Sequence, residues 1–138
     1  MSSTLVTDTS VLFAALVADD RDHESCKELL GSGRALVLPA SVVTETCLLA
    51  QSTGNHGAAH ALLESVVDGS VEVVELMRPD YARAGHLLRT YEDLGLSFVD
   101  AAVVTTAERL GEDTIATLDR RHFSAIRPSH IQAFTLVP

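Results

Sequence analysis

Leu5-Val6-Thr7-Asp8-Thr9-Ser10-Val11-Leu12 runs an apolar segment into a carboxylate and two hydroxyls, then turns apolar again through Phe13-Ala14-Ala15-Leu16-Val17. The pattern reads as a buried strand ending at Asp8, with Thr9 or Ser10 capping the helix that follows. In open α/β sheets, ligands bind in the crevice beyond the carboxyl ends of the strands. An Asp in that place points at a site and not into the core.

Working outward, the same grammar repeats. Asp19-Asp20-Arg21-Asp22 is a polar loop, and His23 to Leu30 is a short amphipathic helix stopped by Gly31-Ser32-Gly33. Ala35 to Leu38 predicts a brief strand, and Pro39 suits the first turn of a helix running to about Ser52. Gly54 and Gly57 interrupt before a helix from Ala58 to Val67. Val71 to Leu76 predicts a strand, Pro79 to Tyr91 a helix, and Phe98 to Leu110 a helix capped by Ser97 and ended by Gly111. Thr114 to Leu118 is an apolar strand reaching Asp119, and Phe134 to Val137 a last edge strand. Strands separated by helices imply right-handed crossovers and a mainly parallel sheet covered on both faces. The fold class is α/β, a three-layer α/β/α sandwich.

With 138 residues, 46% hydrophobic and 21% charged, the chain fits one soluble globular domain spanning 1–138. The longest apolar run, Val11 to Ala18, is too short for a bilayer, and the N-terminus lacks a signal-peptide pattern. A cytoplasmic location is therefore expected, without a membrane partner. Cys26 and Cys47 show no metal-ligand spacing and read as reduced thiols. A net charge of −9 argues against broad nucleic-acid binding, although acids gathered in one pocket supply part of that charge and bound cations cancel it.

Four of those acids stand out. Asp8 and Asp119 both follow apolar strands, where Asp also serves simply as a cap or turn residue. Glu45 lies in Val42-Val43-Thr44-Glu45-Thr46-Cys47-Leu48-Leu49, and helical spacing places it on the face of Val42, Leu48 and Leu49. An ionised Glu on an apolar face is costly unless it is paired or binds a cation. Asp100 in Ser97-Phe98-Val99-Asp100-Ala101-Ala102 has capping-box spacing to Ser97, which is compatible with a metal role. Four converging carboxylates repel one another, and a hard divalent cation resolves the conflict. Mg²⁺, with Mn²⁺ as the alternative, prefers such oxygen ligands and would activate water against a phosphodiester. Thr9 or Ser10 would then orient Asp8 from behind.

Taken together, Thr7-Asp8-Thr9-Ser10, Glu45 within an apolar helix, Phe98-Val99-Asp100-Ala101-Ala102 and Thr117-Leu118-Asp119-Arg120-Arg121-His122-Phe123 resemble a PIN-domain ribonuclease of the VapC toxin type, over nearly the whole chain. The resemblance implies a PIN-like fold and a Mg²⁺-dependent endoribonuclease cutting a structured RNA, a transfer or ribosomal RNA, to leave a 5′ phosphate and a 3′ hydroxyl. It also implies a homodimer and a cognate antitoxin that blocks the acidic pocket. By motif match, Asp8, Glu45, Asp100 and Asp119 take the catalytic and metal-binding roles.

Arg120, Arg121 and His122 directly follow Asp119, with Arg127 close after; they are candidates for RNA phosphate contacts. His56 and His60 lack the Glu of an HExxH motif and read as a solvated face. Tyr81, Leu88 and Tyr91 read as core or dimer interface. Gly-rich phosphate loops are absent. A receiver domain would need a late lysine, but the single lysine is Lys27, and a haloacid-dehalogenase-like phosphatase would need an Asp where Ser10 stands. The alternative from another class is a non-catalytic PIN-like module that binds RNA or a partner. It would be marked by a lost acid or a base in the pocket, and neither is present.

Overall fold

The computed structural model describes residues 4–138. Thirteen elements follow one another: β1 (Thr4–Thr7), α1 (Thr9–Leu16), α2 (His23–Leu30), β2 (Ala35–Pro39), α3 (Ala40–Ser52), α4 (His56–Val67), β3 (Val71–Val74), α5 (Arg78–Thr90), a 3₁₀ turn (Glu92–Leu94), α6 (Phe98–Leu110), β4 (Thr114–Ala116), α7 (Arg120–Ala125) and β5 (Thr135–Val137). The strands form one sheet in the order β3-β2-β1-β4-β5, and every pairing is parallel. β1 lies at its centre, so the stretch that ends at Asp8 is the axis of the fold.

The layers follow from the two-residue period of a strand. Leu5 and Ala116 turn to one face, where they pack with Val11, Ala14 and Cys26 of α1 and α2. Val6 and Ile115 turn to the other, against Leu87, Val103, Val104 and Phe123. With both faces covered, the strands carry apolar side chains without alternation, as parallel sheets do. The result is the expected α/β/α sandwich.

Several expected boundaries shift. Asp8, not Thr9 or Ser10, occupies the N-cap of α1, and its carboxylate makes no capping bond because it is engaged across the sheet. β4 stops at Ala116, where the last bonds to its neighbours are Asp8 N–H to the Ala116 carbonyl and Thr117 N–H to the Val137 carbonyl of the edge strand. β3 ends at Val74, opposite Pro39, rather than at Leu76. α5 begins at Arg78 because the Asp80 carboxylate accepts Met77 N–H at 2.8 Å. Gly57 does not interrupt but lies within α4. Gly95, with φ 76°, adopts the left-handed turn that releases the chain from the 3₁₀ segment into Ser97.

Two ion pairs tie α5 to α6. Arg83 grips Glu108 with Nε–Oε1 at 3.0 Å and Nη2–Oε2 at 2.9 Å, and Arg109 Nε meets Asp80 at 2.9 Å. Ser129 N–H also donates to Glu108 at 2.7 Å, pinning the segment before β5. Cys26 is buried and Cys47 half-buried, both unpaired. Among the described residues no helix is long and apolar enough to cross a membrane.

Candidate functional site

The carboxyl ends of β1 and β4 are adjacent because the two strands pair in parallel, Thr7 beside Ala116. This brings Asp8 close to the loop Thr117-Leu118-Asp119 despite more than a hundred intervening residues. Asp8 is only 5% exposed. Its Oδ2 accepts the Thr117 hydroxyl at 2.8 Å and the Ser10 hydroxyl at 3.0 Å. Both hydroxyls also accept backbone N–H groups of the loop after β4: Asp119 N–H to Thr117 at 2.9 Å, within that loop, and Leu118 N–H to Ser10 at 3.0 Å, across from it. Two hydroxyls thus bolt one strand end to the other. Ser10, and not Thr9, supports Asp8; the buried Thr9 hydroxyl has no hydrogen-bond partner among the described residues.

Burial pushes the Asp8 carboxyl up to about 6, against the opposing donations from Thr117 and Ser10, and the neighbouring Asp100 adds to the rise. Asp100 opens α6 in a capping box with Ser97: its N–H donates to Ser97 Oγ at 3.1 Å, and its Oδ2 accepts Ser97 N–H at 3.4 Å. Burial raises its pKa too, and Asp119 raises it further. Asp8, Asp100 and Asp119 are therefore one electrostatic unit with Asp100 in the middle.

Asp119, Asp100 and His122 offer ligand atoms that all lie within 4.8 Å of one another. His122 is less free than that proximity suggests. Its Nδ1 meets Asp119 Oδ2 at 2.6 Å, and its Nε2 meets the Leu94 carbonyl at 3.0 Å. A carbonyl only accepts, so Nε2 carries a proton. Neither ring nitrogen is left with an open lone pair for a metal. His122, a candidate RNA contact, braces Asp119 against the turn before α6 with its ring. Asp119 also caps α7, accepting His122 N–H at 3.1 Å.

Glu45 does not join that cluster. It is half-buried on α3 and lines a groove of about 640 Å³ together with Leu48, Leu49 and Val99, the residue before Asp100. The apolar face on which the sequence places it is largely open, with Leu48 60% exposed. Arg120, a candidate phosphate contact, reaches the Leu136 carbonyl at 3.5 Å and the Pro138 backbone oxygen with its guanidinium. Arg121 is exposed and has no partner among the described residues. Arg127 is exposed, its N–H donating to the Tyr91 hydroxyl at 2.8 Å.

The donors suit a hard cation. Three carboxylates, two with raised affinity for protons, gather at the strand ends with no basic side chain among them except the His122 ring that Asp119 already engages. Charge of this kind is relieved by a proton or by a divalent ion, and oxygen donors favour Mg²⁺ or Mn²⁺ over softer metals. Thr117 is the site residue that sequence reading passes over. Its signal is a hydroxyl two positions before an Asp at a parallel strand end.

The PIN domain family profile matches residues 5–127. Ribonuclease VapC26 of Mycobacterium tuberculosis is 35% identical over 135 residues, which cover 97% of this chain and 100% of that protein. Among solved structures, VapC20 of the same organism, a sarcin-ricin loop cleaving toxin, superposes with a TM-score of 0.81 at 24% identity, covering 93% of this chain and 98% of that one. A toxin–antitoxin complex from Klebsiella pneumoniae superposes with a TM-score of 0.65 at 17% identity, covering 88% and 92%.

Proposed function

The chain belongs to the PIN domain family and is a homologue of the VapC ribonuclease toxins, and from that premise we propose that it is a Mg²⁺-dependent endoribonuclease cutting a structured RNA. The observation that carries this reading is the convergence of Asp8, Asp100 and Asp119 at the strand ends, each carboxylate held by its own partner: Thr117 Oγ1–H, Ser97 N–H and the His122 ring. Asp8, Asp100 and Asp119 would hold the ion, with Glu45 as the acid from the α3 wall. When bound, a divalent ion supplies an activated water and charge stabilisation for a phosphodiester.

The chain's own residues do the positioning. Thr117 and Ser10 fix the Asp8 carboxylate, the Ser97 N–H fixes that of Asp100, and His122 fixes that of Asp119, so the acids need not reorganise during reaction. Arg121, exposed and without a partner among the described residues, would hold an RNA phosphate. A transfer or ribosomal RNA is the substrate class, in keeping with the ribonuclease relative and the sarcin-ricin loop activity of the structural neighbour. The reading takes residues 1–138 as one PIN-like domain acting in the cytoplasm as a homodimer. A cognate antitoxin would neutralise it, as the existence of the Klebsiella toxin–antitoxin complex suggests.

The test is cleavage of total cellular RNA by purified protein in Mg²⁺ and in EDTA, with Asp8→Ala and Asp100→Ala as controls. Discrete fragments that need metal and disappear in both variants are expected. No cleavage by the wild type, or equal cleavage by the variants, sinks the catalytic reading in favour of a binding module.

A further inference from the structure

Glu45 stands apart from the three clustered acids, and the groove it lines has a chemistry of its own. α3 supplies one wall as a stripe at helical spacing, Ser41, Glu45, Leu48 and Ser52. Val99, on the first turn of α6, faces it and immediately precedes Asp100. The groove therefore adjoins the acid cluster, and its volume of about 640 Å³ falls in the range of about 300–1,000 Å³ usual for small-molecule sites. Its middle is apolar. Leu48 is 60% exposed and Leu49 38%, and with Val99 they offer a surface on which a flat ring can lie.

The polar groups around that surface mostly accept. Thr44 donates its hydroxyl proton to the Ala40 carbonyl at 3.3 Å, and Ser52 donates its own to the Leu49 carbonyl at 3.0 Å. Each keeps only lone pairs for a ligand, and an ionised Glu45 carboxylate has nothing else. Ser41 Oγ is buried without a hydrogen-bond partner among the described residues, an unmet requirement that a ligand would fill. No side chain that lines the groove carries an N–H group or a positive charge.

This inventory separates the possible occupants. A phosphate wants cations and several donors, and the lining side chains leave one hydroxyl proton free. A nucleobase fits better, since splayed bases pack on apolar side chains and are read along their edges. Guanine presents an imino N–H and an amino group side by side on its Watson–Crick edge. Uracil presents one N–H between two carbonyls, and those carbonyls would face lone pairs here. Adenine and cytosine, with one amino group each, fall between.

We propose that this groove takes the nucleobase beside the scissile phosphate, unstacked from the RNA, and selects guanine against uracil. The ring lies on Leu48, Leu49 and Val99, its N–H groups donate to the hydroxyl oxygens of α3, and the Ser41 hydroxyl proton goes to the guanine carbonyl. Glu45 keeps its place beside the ion. The proposal deepens the nuclease reading and rests on it, adding which base sits next to the cut.

Methyl NMR of the full chain in EDTA, titrated with guanosine, inosine or uridine, tests it without any cleavage. Guanosine is expected to shift the Leu48, Leu49 and Val99 methyl signals to saturation. Inosine, which lacks the amino group, should bind more weakly, and uridine about 10-fold more weakly than guanosine. Ser41→Ala combined with Thr44→Val should lower guanosine affinity about 10-fold and leave uridine unchanged, with circular dichroism checking the fold. Equal responses to guanosine and uridine, shifts that miss those three residues, or full guanosine affinity in the folded double variant overturn the proposal. Because binding is read and not reaction, guanosine bound by a protein that cuts no RNA sinks the nuclease reading and leaves the guanine site standing.

Discussion

The Thr117 hydroxyl donates to the Asp8 carboxylate at 2.8 Å while accepting the Asp119 N–H at 2.9 Å, so a single side chain sets the relative position of two of the acids. Replacing it with the near-isosteric Val keeps the volume and removes the bridge. Asp8 is then left with Ser10 as its one side-chain donor in a buried place. Thr117→Val is expected to lower unfolding free energy by about 1–3 kcal/mol in urea titrations near pH 7.5. The Mg²⁺ concentration giving half-maximal cleavage should rise about 10-fold or more. Thr117→Ser should restore both.

The raised Asp8 carboxyl fixes the sign of a pH effect in metal-free protein. Its folded value of about 6 stands above the ordinary 3.8, so between those limits the folded state binds more proton than the unfolded one. Stability therefore falls as pH rises through this window; the contribution is present below about 4 and gone above about 6. The full span is on the order of 3 kcal/mol. Asp8→Asn, which keeps an acceptor for Thr117 and Ser10, should melt higher than wild type at pH 8 in EDTA, with the gap closing toward pH 4. Added Mg²⁺ should raise the melting temperature of the wild type and not of the variant. A variant no more stable than wild type at pH 8 refutes the burial argument.

How far the sequence discloses this site varies by residue. Asp8 and Asp119 are legible because a carboxylate closing an apolar run marks a parallel strand end, and strand order then makes them neighbours. Asp100 is legible twice, as a capping-box acid and as a site acid, and the structure has it in the cap while its charge couples to both neighbours. Thr117 is not legible, because its role depends on the β1–β4 pairing register and on β4 ending two residues early. The hold of Arg120 on the edge strand has the same origin: a basic run looks uniform in sequence, but β5 arrives beside only one of its members. Helical spacing sets Glu45 beside Leu48 and Leu49, and the three line one groove. That the face is open, and not core, depends on tertiary contacts that helical periodicity does not carry.

His122 should prove a positioning residue. Its ring spans Asp119 and the Leu94 carbonyl, holding the carboxylate where Asp100 repels it. His122→Ala is expected to reduce cleavage about 10–100-fold with a raised Mg²⁺ requirement and little change in KM. A raised KM at an unchanged Mg²⁺ requirement would return His122 to the role of an RNA contact.

Glu108 carries stability and no chemistry. Burial pushes its carboxyl up, but the forked Arg83 bond and the Ser129 N–H outweigh that and bring it below its ordinary 4.5. Its contribution is therefore present above that value and lost as pH falls, the reverse of Asp8. Glu108→Gln should cost about 1–3 kcal/mol at pH 7, discounted for the part-exposed Arg83, and less at pH 4. Cleavage of RNA by the folded variant should match wild type.

Arg120 and Arg121 are adjacent in sequence and divided by structure, which makes them a matched pair. Arg120 holds the carbonyl of Leu136 in the edge strand, so its loss should act on the fold. Arg121 is exposed, has no partner among the described residues to lose, and follows Asp119 by two positions. Arg121→Ala is expected to leave the melting temperature within about 1 °C, since surface changes of this kind move stability by less than about 0.5 kcal/mol. KM for RNA should rise several-fold, and the slope of log affinity against log salt should fall by about 1 for a lost phosphate contact. Arg120→Ala should do the opposite, lowering the melting temperature while leaving the salt slope alone. If Arg120→Ala changes the slope and Arg121→Ala does not, the phosphate contact belongs to the first arginine, and its hold on β5 must open when RNA binds.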